Sequence, residues 1–203
     1  MKVLAVCRGA AETLAGLKYK SGINKTPVGG PVMVDAQGIV GDRICNRRHH
    51  GGIDQAIYIE GSLTLDWWAE ELGRPLPAGT FGENLVIEGL DNRNVSVGDR
   101  FLAGDIVLEV TAPRIPCATF AAKIGDPAFA RCYAVAARPG IYCRVITGGL
   151  LAAGELVAFQ PYGGSRIFLS EAVSAIGNRR DQAMRTRLFD TPLAHRFRAM
   201  LER

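Results

Sequence analysis

The sequence has no long apolar run. Nothing in it approaches the roughly 18 consecutive apolar residues of a membrane-crossing helix. The opening stretch Met1-Lys-Val-Leu-Ala-Val-Cys7 is too short for a signal peptide, so neither a membrane partner nor a leader is expected. Cysteine and histidine are scarce. The five cysteines (Cys7, Cys45, Cys117, Cys132 and Cys143) are odd in number and irregularly spaced, with no CxxC pair. That pattern excludes a zinc ribbon and an iron–sulfur motif and fits a reducing cytoplasm. Cys45 and His49 share an i, i+4 spacing, but the segment does not read as a helix, no HxH is present and, besides His50, the remaining histidine is His195. No protein-built zinc site is expected. Lysine is scarce as well, at 5 against 19 arginines. A biased genome accounts for such a ratio, but guanidinium is also the better anion clamp.

What is present is enough for a sizeable core: 203 residues, 48% of them hydrophobic and 22% charged. The net charge of +4 is unevenly placed. Residues 1–165 carry 16 basic and 16 acidic side chains, whereas residues 166–203 carry 8 arginines and 4 acidic residues. The basic tail reads either as a solvated helix face or as a docking surface for an acidic partner.

Short runs rich in β-branched residues predict strands at Val3–Cys7, Pro31–Asp35, Gln55–Glu60, Phe81–Glu88, Asp99–Leu102, Asp105–Thr111, Gly140–Thr147 and Glu155–Pro161. A Gly-acid turn recurs between them, and Val40-Gly-Asp-Arg43 and Val97-Gly-Asp-Arg100 are near copies. Helices are predicted over Ser62–Leu72, Cys117–Ile124 and Pro127–Ala137, then as three short segments at residues 170–177, 180–189 and 191–203. Many strands without regular β–α alternation predict a mainly β fold, a barrel or sandwich with short helical insertions. The Gly163-Gly-Ser165 linker divides it into residues 1–163 and a helical extension, 164–203, too short for a core of its own. Trp67 and Trp68 are adjacent on a helix and point about 100° apart, so one of them is expected to be partly exposed or to cover a site.

Three stretches carry chemistry. Around Arg114-Ile-Pro-Cys117 the two prolines Pro113 and Pro116 end a strand, leaving a thiol three residues after a guanidinium. Cys117 reads as a reactive thiolate or as a small buried hydrophobe. Gly41-Asp-Arg-Ile-Cys-Asn-Arg-Arg-His-His-Gly-Gly52 gathers Arg43, Arg47, Arg48, His49 and His50 before two glycines, suiting either an oxyanion or a solvated basic loop. In Gly79-Thr-Phe-Gly-Glu-Asn-Leu85, Glu83 is a candidate base or ion-pair partner, and Asn84 follows a glycine turn.

These stretches together resemble the MOSC domain family, named for the molybdenum cofactor sulfurase C-terminal domain, and within it the stand-alone bacterial YiiM-like branch. The likeness lies in Lys25-Thr-Pro-Val28, Gly38-Ile-Val-Gly-Asp-Arg43, His49-His-Gly-Gly-Ile-Asp-Gln-Ala56, Phe81-Gly-Glu-Asn-Leu85, Val97-Gly-Asp-Arg100 and Pro113-Arg-Ile-Pro-Cys117, in family order. The resemblance implies a β-barrel holding a molybdopterin-type molybdenum cofactor, with the metal bound by Cys117. It implies further that Lys25, Arg43, His50 and Arg114 hold the pterin phosphate and dithiolene region, with Arg47 and His49 as alternatives and Asn84 near the metal. The implied reaction reduces N-hydroxylated small molecules, with Glu83 or a histidine of the 49–50 pair relaying a proton. Because the chain carries no iron–sulfur cysteine set, electrons would come from a separate flavin or iron–sulfur reductase, docked on a surface that includes Arg179, Arg180, Arg185 and Arg187. A homodimer fits the apolar, basic tail. Two other readings compete: a metal-free sulfur or acyl transferase using Cys117 with His50 as base, and a non-catalytic module that binds or delivers the cofactor. A barrel binding nucleic acid is disfavoured by the charge balance of residues 1–165.

Overall fold

Period-2 alternation organises the molecule. Along Ile57-Tyr-Ile59, both isoleucines join one apolar cluster and Tyr58 joins another; Leu85-Val-Ile87 repeats the pattern, with Val86 on the Tyr58 side. A sheet buried on both faces separates the two clusters. The structure, a computed structural model, describes residues 1–176, 178 and 180–202. Arg179, expected at the docking surface, lies outside the described residues.

The described residues form thirteen strands: β1 (Val3–Gly9), β2 (Glu12–Thr13), β3 (Lys20–Ser21), β4 (Lys25–Pro27), β5 (Val32–Asp35), β6 (Gly38–Ile39), β7 (Ile57–Gly61), β8 (Leu85–Ile87), β9 (Arg100–Ala103), β10 (Ile106–Pro113), β11 (Ile141–Thr147), β12 (Gly149–Leu151) and β13 (Val157–Gln160). Eight of them make a sheet in the order β13-β9-β10-β11-β7-β8-β1-β4. Its neighbours are antiparallel except β7 and β8, which are parallel and therefore need a crossover. Helix α1 (Ser62–Leu72) supplies it. A register shift between Val3 and Ala5 turns Ala5 and Cys7 to the face opposite Val3.

This is a sheet-dominated α+β fold. The expected closed barrel is not formed by the named ladders: the residues just before β1 and just before β13 meet at one bridge, Lys2 to Leu156, flanked by Val3 N donating to Glu155 O (2.9 Å) and Val157 N to Met1 O (2.9 Å). The expected strand from Phe81 shrinks to Leu85–Ile87. Gly79 and Gly82, at φ 89° and 82°, turn the chain first, and a Cβ on Gly79 would collide with the carbonyl oxygen of Lys25.

One face of the sheet carries an aromatic cluster under α1, α2 (Ala118–Ile124) and α3 (Phe129–Val135). Trp68, Phe81, Phe120, Phe129 and Tyr133 are all buried there, and Trp68 stacks on Tyr133 at 5.6 Å. Trp67 is the half-buried partner, with the Arg138 guanidinium 4.5 Å above its ring. On the other face, α4 (Leu169–Ser174), α5 (Gln182–Phe189) and α6 (His195–Leu201) send Leu169, Leu188, Phe197 and Leu201 into the cluster that holds Val110 and Ile141. Several tail arginines are engaged with their own chain: Arg185 with the carbonyl of Leu201, Arg187 with Ser165 Oγ and the carbonyl of Arg166, and Arg198 with the carbonyl of Phe189.

Candidate functional site

At one end of the sheet, β10 stops at Pro113, which has no N–H to donate. Arg114 N still donates to Gly140 O (2.8 Å), after which the chain leaves the ladder and Cys117 takes the N-cap of α2. This end opens into a cleft. Arg114, Cys117, His50, Lys25, Arg43 and Asn84 all line it. Six expected site residues from five separate stretches are thus brought together.

Arg114 is the unusual member. It is 3% exposed, and among the described residues no carboxylate pairs with it. Its Nε has no hydrogen-bond partner, and Nη1 reaches only the carbonyl of Ile115, at 3.5 Å. The guanidinium lies over the rings of Phe120 (3.9 Å) and Tyr58 (5.2 Å). Those faces compensate part of its lost hydration. Exposed Arg43 and Lys20 add positive charge at the mouth.

Lys25 is differently placed. It is buried against Asp42, whose Oδ1 accepts from Gly9 N (2.8 Å) and whose Oδ2 accepts from Lys25 Nζ and from Asn84 Nδ2 (3.0 Å). Burial pulls the Lys25 amine below its usual range and Asp42 opposes that pull. Asn84 is fully engaged as a strut: Oδ1 accepts from Tyr58 N (3.1 Å), and Nδ2 also donates to Cys7 O (3.3 Å). Sequence reasoning missed Asp42, which it took for a turn residue. The near-copy Asp99 is built alike, accepting from Ser96 N (2.7 Å), Tyr162 N (2.8 Å) and Arg166 (3.0 Å).

His50 lines the cleft; His49 and Arg47 are exposed and do not. Burial, then the charges of Arg114 and Arg196, push the His50 imidazole down to about 4, so it is neutral at pH 7. That is a poor poise for a base activating Cys117 near neutrality, and it weighs against the metal-free transferase.

Glu83, expected as a proton relay, does not line the cleft. It is fully buried beneath the 79–83 turn, where its carboxylate accepts from Gly79 N (2.5 Å) and Phe81 N (2.9 Å). Burial pushes its carboxyl up, opposed by those backbone bonds and by Lys123. Its contacts are those of a turn anchor.

The buried acid next to the cleft is Glu60. Its carboxyl bonds the hydroxyl of cleft-lining Tyr58 and accepts from Asn92 Nδ2 (2.6 Å). Burial pushes it up to about 8 from an ordinary 4.5, against the Tyr58 and Asn92 bonds. Between those values the folded chain holds a proton that the unfolded chain has released, so stability from Glu60 is full below pH 4.5 and lost as pH rises to 8. Glu60→Gln removes this dependence. Urea unfolding should show the wild type losing stability relative to Glu60→Gln across that window. The opposite-signed contribution of His50, between about 4 and 6.5, is common to both proteins and cancels. A pH-independent difference would mean that Glu60 is already ionised in the fold.

Among the described residues, no three His, Cys, Asp or Glu side chains converge as a metal site. A metal in this cleft would therefore have to bring most of its ligands with it. No helix among the described residues is long and apolar enough to cross a membrane.

The sequence model of the MOSC domain matches residues 46–158. The uncharacterized protein YflK of Bacillus subtilis is 34% identical over 154 residues, covering 75% of this chain and 70% of YflK. A protein of Gibberella moniliformis named a reductase is 31% identical over 153 residues, 72% of this chain but only 27% of that protein. Among solved structures, YiiM from Geobacillus stearothermophilus superposes with a TM-score of 0.82 at 28% identity, over 99% of this chain and 97% of that one.

Proposed function

The chain belongs to the MOSC domain family, in its YiiM-like branch, and from that premise we propose that the cleft binds a molybdopterin-type molybdenum cofactor and that the protein reduces N-hydroxylated compounds. The observation that carries this reading is Arg114: a buried guanidinium with an unpartnered Nε and, among the described residues, no carboxylate partner, in the same cleft as a free thiol. The residues fit such a group. A phosphate carrying close to two negative charges calls for convergent cations and neutral donors, which Arg114, Arg43, Lys20 and His50 supply. A soft thiolate suits a molybdenum centre, and Cys117 is the half-exposed thiol at the N-cap of α2. Lys25, already neutralised by Asp42, would shape the floor together with Asn84.

The bound cofactor would supply the two-electron redox chemistry, while the protein supplies orientation and electrostatics. Reduction of an N–OH group to N–H consumes two electrons and two protons and releases water. Neutral His50 can donate one hydrogen bond and accept another, which orients a hydroxylamine group without adding a cation to the cleft. Tyr58 and Tyr142 line the wall and restrict water. Electrons would come from a separate flavin or iron–sulfur reductase. The Gibberella protein carries the name reductase, but most of its length lies outside the match.

The test is turnover. Protein from a host that makes the cofactor is incubated with an aryl hydroxylamine and reduced methyl viologen, and the amine is quantified. The reading expects amine formation that is lost when the host cannot make the cofactor. Equal rates from both hosts would sink it, and bound cofactor without turnover of any N-hydroxylated probe would point to a carrier module.

A further inference from the structure

The arginine-rich tail invites an outward reading, yet one of its arginines works inward. Arg196, on α6, is half-buried. Its Nη1 donates to Gly51 O (3.1 Å) and Gln55 Oε1 (2.6 Å), and its Nη2 donates to Arg47 O (3.0 Å). One planar guanidinium thus ties together three points of residues 47–55, the stretch that forms the His50 wall of the cleft. A second tie lies one residue away: His195 N donates to Asp54 Oδ2 (2.9 Å), and Asp54 Oδ1 pairs with Arg144 of β11 (3.0 Å).

The wall needs such ties because it has little structure of its own. Between β6 and β7 its regular element is the three-residue 3-10 turn Ile53–Gln55, and Gly51 and Gly52 sit at φ 69° and 84°, which gives the backbone latitude. Turn bonds from His49 N and His50 N to Asn46 O shape the loop without anchoring it to the sheet. Anchoring comes from α6, whose Phe197 and Leu201 are fixed in the core, and from the sheet itself, where Thr111 Oγ1 of β10 donates to Asp54 O and Ala56 N donates to Cys143 O.

We infer that Arg196 is the positioning residue of the cleft: it holds residues 47–55, and His50 with them, in the geometry that receives an anionic ligand. The fork suits this task because three donors in one plane fix both distance and orientation, which an ammonium cannot do. Its charge also matters. The groups facing His50 are Arg114 at the end of β10 and Arg196 on α6, with Arg47, Arg48 and His49 in its own loop; Asp54 is already paired with Arg144. Arg196 therefore helps keep the imidazole neutral while adding positive potential behind it. The cofactor part of this inference rests on the reading proposed above; the loop geometry does not.

Arg196→Met and Arg196→Lys separate the two contributions. Methionine keeps apolar length and loses donors and charge; lysine keeps the charge and loses the fork. In the protein without cofactor, amide hydrogen exchange should speed up at residues 47–55 in both variants, by about tenfold or more, the equivalent of one lost hydrogen bond of about 1.4 kcal/mol. Exchange at Val110 and Ile141, in the sheet core, should stay unchanged. The His50 imidazole, followed by NMR titration, should rise somewhat from about 4 in Arg196→Met, with burial and Arg114 still holding it below its ordinary value, and stay near the wild-type position in Arg196→Lys. Molybdenum retained by protein from a cofactor-making host should fall in both. Wild-type exchange and titration in Arg196→Met would overturn the inference. So would equal loss of protection in the loop and the sheet, which would mark a merely structural residue. Loop loosening in the variants, together with no molybdenum in the wild type, would uphold Arg196 and defeat the cofactor reading instead.

Discussion

Protein carrying Cys117→Ser, made in a host that supplies the cofactor, is expected to retain about a tenth or less of the molybdenum held by the wild type. Loss of a partner outside the ligand set already costs 10–100-fold in metal affinity in known sites, so loss of the ligand itself should cost at least that. The substitution removes one soft donor and changes little else. Serine keeps the size and is a favourable N-cap, so α2 should start at Ala118 as before. Cys117 is half-exposed and makes no hydrogen bond that serine would break, so the thermal transition of the cofactor-free protein should stay within about 2 °C. Cys45, the other cysteine lining the cleft, is the internal control. It is exposed at the mouth, and Cys45→Ser should leave the molybdenum content unchanged. Elemental analysis of the three proteins decides the matter. Equal molybdenum in wild type and Cys117→Ser would remove Cys117 as the ligand, and loss in Cys45→Ser would move the role to the basic loop.

How much of this was readable beforehand differs between the sheet and the site. All eight longer predicted strands are present within a few residues, because period-2 patterning and β-branched runs mark strands that bury a face. Of the two- and three-residue strands only β8 was legible, inside the longer run from Phe81; β2, β3, β4, β6 and β12 have no pattern of their own and exist through their partners, as Lys25–Pro27 does beside β1. The Cys117 end of β10 was legible because prolines punctuate locally. Asp42 was not: Gly-Asp turns recur along the chain, and nothing near Asp42 says that its carboxylate will face Lys25 and Asn84, 17 and 42 residues away. Arg196 meets Arg47 across 149 residues, and composition alone recommends it no more than any other tail arginine. Glu83 failed in the reverse way. Its motif marks it as chemical, but two backbone amides of its own turn claim the carboxylate.

Arg114→Met is expected to move stability and binding in opposite directions. In the cofactor-free protein Arg114 is a liability: burying a charge costs several kcal/mol, and here no carboxylate repays it. The Phe120 and Tyr58 faces return about 2 kcal/mol, the range for a desolvated cation–π contact. Methionine fills much of the same volume, packs on the same two rings and has no charge to desolvate. The variant without cofactor should therefore be more stable than the wild type, by about 1–3 kcal/mol. For a chain of this size that raises the thermal midpoint by roughly 2–10 °C. Binding should go the other way. The cationic donors proposed to meet the ligand are gone, and truncating one partner of a buried charged pair costs about 2–5 kcal/mol, a loss of roughly thirtyfold or more in affinity. Protein from a cofactor-making host should come out with little molybdenum and with a midpoint that no longer depends on that host, since ligand binding stabilises only the form that binds. Calorimetry of both proteins from both hosts gives the four midpoints needed. A lower midpoint for cofactor-free Arg114→Met would show that the guanidinium holds the fold together, and the case for an anion site built around it would fall. A higher midpoint with lost cofactor would mark Arg114 as a group whose burial is strained in the empty protein and compensated only by its ligand, the trade expected where function rather than stability places a residue.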